Sequence, residues 1–146
     1  MPHQDQPDPI EILLVEDDRG DVLLTRAAFD DHKLHNRLTV LSDGREALAY
    51  LRRAGRYAGA VRPDLILLDL NLPGLDGRAL LTELAADPEL RDIPVVVMTG
   101  SLAERDILRA RRLKVADYVC KPVDFARLLE VVQRFDQFAL TVVKLD

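Results

Sequence analysis

The chain has 146 residues, of which 48% are hydrophobic and 31% charged, and its formal net charge is -5. This length and composition are typical of a single globular domain, and the acidic balance argues against a nucleic-acid surface, which would need a basic patch. The single cysteine excludes an internal disulfide, and the lack of a signal-like start or of an apolar run near about 20 residues predicts a cytoplasmic protein without a membrane span.

The N-terminal part of the chain predicts a leader, a strand and a helix. Residues 1–9 hold three prolines among polar residues, which predicts a flexible leader. The segment IEILLV at Ile10 to Val15 predicts a buried strand, which runs directly into three acids, Glu16, Asp17 and Asp18. Apolar residues then recur at helical spacing from Gly20 to about Asp31, and Asp18 with Asp21 resembles a helix N-terminal cap.

A second strand and helix are predicted next. The strand covers Leu38 to Leu41, and the turn Asp43-Gly44 leads into a helix whose apolar residues are Ala47, Leu48 and Leu51. A polar, glycine-spaced connection from Arg52 to Arg62 follows. It is longer than the few residues that usually join such elements.

The central strand is predicted at Leu65 to Leu68, where apolar residues run without polar alternation, as in a strand buried on both faces. Asp69 follows at its carboxyl end, the edge at which open α/β sheets bind ligands. Pro73-Gly74 turns the chain, and Asp76-Gly77 begins a helix that ends near Asp87-Pro88. Taken alone, Asp69 is explained equally well as a solvated strand-end carboxylate.

The C-terminal part predicts two more strands, each followed by a helix. The strand from Pro94 to Met98 ends at Thr99-Gly100, and the helix after it carries Ile107, Ala110 and Leu113. The strand from Asp117 to Cys120 leads to Lys121-Pro122, and the last helix begins near Asp124. Five strand-helix repeats with short connections predict one parallel sheet with right-handed crossovers.

Some polar or reactive residues receive no chemical role from the sequence. We expect Cys120 to be a small core residue, because free cysteine beside a buried strand usually packs as a hydrophobe. The arginines of the fourth helix are expected on its solvent face, namely Arg109, Arg111 and Arg112.

Polar side chains at the ends of the predicted strands share one sheet edge, and they are Glu16, Asp17, Asp69, Thr99 and Lys121. Crowded carboxylates raise one another's pKa unless a cation screens them, and hard oxygen ligands around a small gap suit Mg²⁺. Phosphoryl chemistry fits this set, with Asp69 as the attacking carboxylate, Lys121 neutralising charge and Thr99 donating its hydroxyl. Taken one at a time, each of these residues can be explained as an ordinary surface, strand-end or helix-cap residue. That explanation fails for the whole group, because it would leave unpaired charges at a half-buried edge.

The chain resembles the receiver domains of the two-component response-regulator family from Ile10 to Phe138, which we predict as one domain over residues 10–138. The motifs are an acidic pair after the first strand, a D-x-N-x-P-x-x-D-G turn, a threonine before a small residue, and an aromatic residue three positions before a Lys-Pro pair. In this sequence they are Glu16-Asp17, Asp69 to Gly77, Thr99-Gly100, Tyr118 and Lys121-Pro122. The resemblance implies a flavodoxin-like, doubly wound (βα)5 fold of the α/β class, with five parallel strands in the order 2-1-3-4-5.

The same resemblance implies the roles of the site residues. Asp69 would accept a phosphoryl group from a partner histidine kinase. Mg²⁺ would be bound by Asp17, Asp69 and the backbone carbonyl of Asn71, with Glu16 acting through water.

A conformational switch is also implied. Thr99 would move toward the added charge and Tyr118 would rotate, which would re-shape the surface of the fourth helix and fifth strand. The Lys121-Pro122 peptide would be cis.

Finer details resemble the stand-alone regulators paired with bacterial phytochrome histidine kinases. These details are the VEDD opening, the Arg52 to Arg62 connection, Lys-Pro-Val-Asp at Lys121 to Asp124, and the tail FALTVVKLD. The tail departs from that pattern at Ala139, where a bulky aromatic residue is common, and at Asp146, where proline is common.

Two alternative functions start from the same sheet edge. A phosphatase of the haloacid-dehalogenase type also uses a strand-end aspartate with Mg²⁺, but it has a second aspartate where this chain has Asn71, and an amide cannot act as a general acid. A flavodoxin-type FMN carrier needs a phosphate-binding loop after the first strand, and the acids at Glu16, Asp17 and Asp18 would repel phosphate. We therefore expect a phosphorylation-switched signalling protein that does not turn over substrate. Its signal would leave through protein contacts, by a change of oligomer, or by passing the phosphoryl group on.

A homodimer is predicted from the C-terminal residues. An apolar seam continues past the expected end of the fold, and a second seam runs beside it: Leu128, Val132, Phe135, Ala139 and Val142, then Val131, Phe135, Phe138, Val142 and Leu145. Residues 139–146 form the tail and are expected to be part of this interface. The alternative is that the whole stripe packs on its own sheet.

Overall fold

The computed structural model describes residues 9–100 and 102–135, which form a parallel five-stranded sheet in the order β2-β1-β3-β4-β5. The strands are β1 (Ile10–Val15), β2 (Asn36–Leu41), β3 (Leu65–Asp69), β4 (Val95–Thr99) and β5 (Asp117–Cys120). The predicted fold class and strand order are confirmed. Observed strand ends differ from the predicted ones by at most two residues, with β2 beginning at Asn36 rather than at Leu38.

Helices connect the strands in the alternating pattern that the sequence predicted. They are α1 (Arg19–Asp31), α2 (Gly44–Leu51), α3 (Gly77–Ala86), α4 (Leu102–Ala110) and α5 (Phe125–Gln133). The long connection after α2 contains a short 3-10 helix, Gly55–Tyr57.

Two apolar layers sandwich the sheet. Because successive strand residues face opposite sides, Leu13 and Val15 of β1 join one layer with α2 and α3, whereas Ile12 and Leu14 join the other with α1 and α5. All residues of β3 and β4 are buried. The continuous apolar run of the central strand is thus explained by burial on both faces.

Aspartate side chains cap four helices at the carboxyl edge of the sheet. Asp18, Asp43, Asp76 and Asp124 accept backbone N–H bonds at the starts of α1, α2, α3 and α5. Each such cap satisfies otherwise unpaired backbone donors and contributes about 0.5–2 kcal/mol. These caps fix the positions at which the four helices begin at the carboxyl edge of the sheet.

The predicted apolar face of the fourth helix is wrong by one position. Ile107 is 41% exposed and Leu108 is fully buried, and α4 ends at Ala110, before Leu113. The helix has so few apolar residues that a single one decides which side faces the core. Neighbouring residues lie about 100° apart around the helix axis, so choosing Ile107 instead of Leu108 turns the predicted apolar face away from the core. Leu113 packs from the following segment instead.

The predicted core location of Cys120 is also wrong. Its side chain is exposed, while Val119 before it is buried. Strand β5 is an edge strand whose successive residues face opposite sides of the sheet, so Val119 enters the layer of α1 and α5 while Cys120 lies on the opposite side, near the end of the strand.

The described part of the C-terminal stripe packs on its own sheet. Leu128, Val131 and Val132 are fully buried in the layer shared with α1, and Phe135 packs partly against it. The tail at residues 139–146 and residues 1–8 of the leader lie outside the described residues. The dimer therefore stays a prediction. No helix in the described ranges is long and apolar enough to cross a membrane.

Replacing Gly77 by alanine should destabilise the fold. A Cβ there would lie 2.6 Å from Leu70 Cα and 2.9 Å from the Asp69 carbonyl oxygen, which are backbone atoms that cannot move aside freely. Overpacking of this kind costs about 1–3 kcal/mol. Chemical denaturation should show this loss for Gly77→Ala.

Gly59→Ala provides the matched control. A Cβ at Gly59 would have no atom within 4 Å, so the stability should change by less than about 1 kcal/mol. Equal losses for both variants would contradict the steric explanation.

Candidate functional site

The carboxyl ends of four strands bring the predicted site residues together. Parallel pairing sets Val15 beside Leu68, Asp69 beside Met98 and Thr99 beside Cys120, so these strands end at nearly the same level. The residues that end or directly follow the strands therefore meet at one edge: Glu16, Asp17, Asp69, Thr99 and Lys121. Glu16, Asp69 and Thr99 are buried there, whereas Asp17 is exposed.

Lys121 is the central cation of this edge. Its Nζ donates to Glu16 Oε1 at 2.6 Å and to Asp69 Oδ2 at 3.1 Å, and it lies 3.3 Å from Asp21 Oδ2. Sequence reasoning treated Asp21 only as part of a helix cap. Its position in the first turn of α1, just above the same sheet edge, was the available signal that it also faces the lysine.

The Lys121-Pro122 peptide is cis, as the resemblance implied.

Three carboxylates form a cluster that can hold a cation. Oxygen atoms of Glu16, Asp17 and Asp69 lie within 4.8 Å of one another. Among the residues that the structure describes, the buried Glu16 Oε2 has no hydrogen-bond partner. A buried acceptor without a donor is costly unless water or a cation satisfies it, and an all-oxygen donor set suits a hard divalent ion. These residues therefore fit a divalent metal.

Burial and neighbouring charge perturb the ionisation of the site. Burial raises the pKa of Glu16 from its ordinary 4.5 to about 9, and Asp69 adds to this effect while Lys121 opposes it. Burial disfavours the charged form of Lys121, but the Glu16 hydrogen bond and the charges of Asp69 and Glu16 outweigh it and raise the pKa of Lys121. The lysine stays charged, whereas Glu16 favours its protonated form.

Asp69 is held by donors on both carboxylate oxygens. The backbone N–H of Asn71 donates to Oδ1 at 3.0 Å, and Lys121 donates to Oδ2. The backbone directly after Asp69 is held by Gly77, whose N–H donates to the Leu70 carbonyl at 3.0 Å. Asp69 is only 5% exposed, so its carboxylate is oriented before any ligand arrives.

Tyr118 lies under two arginines of α4. Its half-buried ring has the guanidinium carbon of Arg105 at 4.7 Å from the centroid and that of Arg109 at 5.7 Å. Both distances are in the range of cation–π contacts. Arg109 is exposed, as expected for the solvent face of the helix, and the sequence held no local signal for its contact with Tyr118.

The raised pKa of Glu16 makes a stability prediction. The folded protein holds a proton on Glu16 that the unfolded chain releases above pH 4.5, so the stability of the metal-free protein should fall as pH rises from about 4.5 toward about 9. Lys121 stays charged throughout this window. Thermal unfolding from pH 5 to 9 with EDTA should show the decline in the native chain and a weaker decline in Glu16→Gln.

Glu130→Gln, which changes an exposed glutamate of α5, serves as the control and should keep the native pH dependence. A divalent metal should reduce the decline in the native chain, because it binds the ionised carboxylate. Identical pH profiles for Glu16→Gln and the native chain would contradict the assignment to Glu16.

Comparison with known proteins places these features in a family. Residues 12–133 match the family model described as the response regulator receiver domain. The response regulator Rcp1 of Synechocystis is 41% identical over 137 residues, which cover 94% of this chain and 93% of Rcp1. A solved structure of Rcp1 is its Mn²⁺-bound form, with a TM-score of 0.75, 41% identity, and coverage of 89% of this chain and 94% of that one.

Two further solved structures are similar. The phosphorylated cyanobacterial phytochrome response regulator RcpA has a TM-score of 0.76 and 42% identity over 92% of this chain and 96% of its own. The bacteriophytochrome response regulator RtBRR has a TM-score of 0.79 and 39% identity over 88% of this chain and 78% of its own. The phosphatase and flavodoxin alternatives find no support in these matches. The chain belongs to the response regulator receiver domain family, and within it resembles the phytochrome response regulators.

Proposed function

We propose that the protein is a signalling switch that accepts a phosphoryl group on Asp69 from a sensor histidine kinase of the phytochrome type. The observation that carries the proposal is the state of Asp69 itself. Its carboxylate is buried at a strand end, is held by the Asn71 N–H and by Lys121, and lies beside the other acids of the cluster. Proteins that act as receivers in this family are signalling proteins, and we infer no substrate turnover.

The transfer would proceed by attack of an Asp69 oxygen on the phosphorus of a phosphohistidine. An O–P bond forms to Asp69 as the N–P bond to the donor histidine breaks, and the histidine leaves with the bonding electrons and takes up a proton. Lys121 neutralises charge on the transferred group and on Asp69. Asn71 stands where a phosphatase of the haloacid-dehalogenase type has its general-acid aspartate. An amide cannot protonate the leaving group of a phosphomonoester, so this position does not support hydrolysis of such substrates.

Mg²⁺ is our proposed metal for this site. Glu16, Asp17, Asp69 and the backbone carbonyl of Asn71 would hold it, and when bound it would neutralise the phosphoryl oxygens. The Mn²⁺-bound structure of Rcp1 supports a divalent ion in a similar protein. The unpartnered Glu16 Oε2 supports the same inference for this chain.

The signal would leave through Thr99 and Tyr118. Thr99 is buried at the end of β4, and Lys121 follows the neighbouring strand β5. A phosphoryl group on Asp69 would offer the Thr99 hydroxyl a new acceptor. Tyr118 is close in the neighbouring strand, so its ring would follow this movement. The surface of α4 and β5 would then differ between the two forms and select a protein partner.

A phytochrome kinase is the inferred donor because RcpA and RtBRR, named as phytochrome response regulators, share about two fifths of the aligned residues with this chain. A cytoplasmic location belongs to the same proposal, since a kinase charged by ATP supplies the phosphoryl group there. We also infer a homodimer formed by the C-terminal helix and tail. Three apolar residues support this inference from the sequence: Phe138 at the end of the predicted domain, and Val142 and Leu145 in the tail.

The function is tested by intact-mass measurement after incubation with acetyl phosphate and Mg²⁺. The native chain should gain one phosphate, Asp69→Asn should gain none, and Asp106→Asn, which changes an exposed acid of α4, should behave as the native chain does. A phosphorylated bacteriophytochrome kinase should transfer to the native chain and not to Asp69→Asn. Phosphate gain by Asp69→Asn would refute the assigned acceptor.

The dimer is tested by size-exclusion chromatography with light scattering at micromolar concentration. The native chain should elute as a dimer, and the pair Phe138→Asp with Leu145→Asp should shift it toward monomer because charges cannot be buried in an apolar interface. Leu23→Asp with Leu24→Asp, exposed on α1, should leave the dimer intact. A monomeric native chain, with or without phosphorylation, would rule the interface out.

A further inference from the structure

Helix α4 is held to the rest of the protein mainly by polar contacts. Among its described side chains, Leu108 is the buried apolar one, whereas Leu102 is 67% exposed and Ile107 is 41% exposed. A helix normally gains most of its stability from an apolar stripe packed on the core. The position of α4 therefore depends strongly on the charged residues that tie it to its neighbours.

The first tie is an ion pair between α4 and α3. Arg78 Nη1 lies 2.5 Å from Glu104 Oε2, with 33% and 19% of the two side chains exposed. The residues are 26 positions apart, so the pair is a tertiary contact. Partial burial reduces screening by water, so the pair is stronger than most surface pairs.

The α3 end of this pair is rigidly connected to the phosphorylation site. Arg78 follows Gly77, where even a Cβ would meet the Asp69 carbonyl oxygen at 2.9 Å, and Gly77 N–H is bonded to Leu70. Arg78 is thereby placed with reference to the backbone of Asp69. Glu104, in the first turn of α4, stands shortly after the strand end that carries Thr99.

The second tie runs from the next residue of α4 to Tyr118. Arg105 follows Glu104, and its guanidinium lies over the tyrosine ring at 4.7 Å. Within the described ranges, the buried Arg105 Nε has no hydrogen-bond partner, and the face of the tyrosine ring lies against the same guanidinium. The two successive residues thus connect α4 to α3 on one side and to β5 on the other.

We propose that the Arg78–Glu104 ion pair is a latch that holds α4 and, through Arg105, Tyr118 in their unphosphorylated arrangement. This inference rests on the proposed function. In the proposed switch, phosphorylation of Asp69 would move Thr99 and change the surface of α4 and β5, and the latch opposes a shift of α4 because separating the pair leaves two half-buried charges without each other. The latch lowers the population of the active form in the absence of phosphate, and its loss makes the site easier to occupy.

The latch is tested by the affinity of the full chain for beryllofluoride, a phosphoryl mimic, in the presence of Mg²⁺, measured by isothermal titration calorimetry. Glu104→Gln and Arg78→Gln should each bind it roughly two- to fivefold more tightly than the native chain, the range expected for a partly exposed ion pair. The double exchange Arg78→Glu with Glu104→Arg should restore the native affinity. Glu83→Gln removes a similar pair, Arg52–Glu83 at 3.1 Å on the far end of α3, and should leave the affinity unchanged.

Hydrogen exchange of residues 102–110 provides a readout that does not require any ligand. Glu104→Gln should accelerate exchange in this segment of the unphosphorylated protein, whereas Glu83→Gln should not. Unchanged or weaker beryllofluoride binding by Glu104→Gln, with native binding by the wild type, would overturn the latch alone. Failure of the wild type to bind beryllofluoride and to accept phosphate on Asp69 would instead overturn the proposed function.

Discussion

The charge balance around Lys121 is the interaction on which the functional edge depends. One ammonium group contacts Glu16, Asp69 and Asp21, three carboxylates contributed by α1 and by residues at the ends of two strands. Without it these acids would repel one another in a place where water screens them poorly. The lysine does not complete the balance, because Glu16 keeps a raised pKa and a buried oxygen without a partner. The site therefore fits a further cation, and binding of a divalent metal there would link metal binding to stability.

The scaffold turns this balance into a directed site. Burial of β3 on both faces holds the backbone of Asp69 in place, and the close packing of Gly77 against Asp69 and Leu70 holds the turn that follows. The side chain then points to the edge with both oxygens already engaged. By contrast, α4 buries few apolar side chains, so the structure is more rigid at the proposed acceptor, Asp69, than at the helix beside it. A switch needs this division, since a fully rigid molecule could not report the added charge.

Much of this arrangement could be predicted from the sequence, because strong local patterns place it. Continuous apolar runs marked the buried strands, and their carboxyl ends gathered Glu16, Asp17, Asp69, Thr99 and Lys121. The strand order came from resemblance to a family. Predictions failed where the local pattern is ambiguous. In the polar helix α4, the sequence did not decide whether Ile107 or Leu108 faces the core, and Leu108 is the buried one. In the short edge strand β5, the sequence did not show that Cys120 is exposed. The Arg78–Glu104 pair joins distant segments, and no local signal encodes it, whereas the contact of Asp21 with Lys121 could have been inferred from the place of Asp21 in the first turn of α1.

The separation between Glu16 and Lys121, 105 positions along the chain, has a consequence for how the protein folds. The acids of β1 and β3 are synthesised and can pair into a sheet long before the lysine emerges, and a contact of such high sequence separation forms late. Until β5 docks on β4, the nascent sheet carries an uncompensated negative edge that weakens its own assembly. Docking of the last strand thus brings the lysine to the acidic edge and completes the proposed acceptor site in one step. A chain that has folded only partway cannot yet receive a signal.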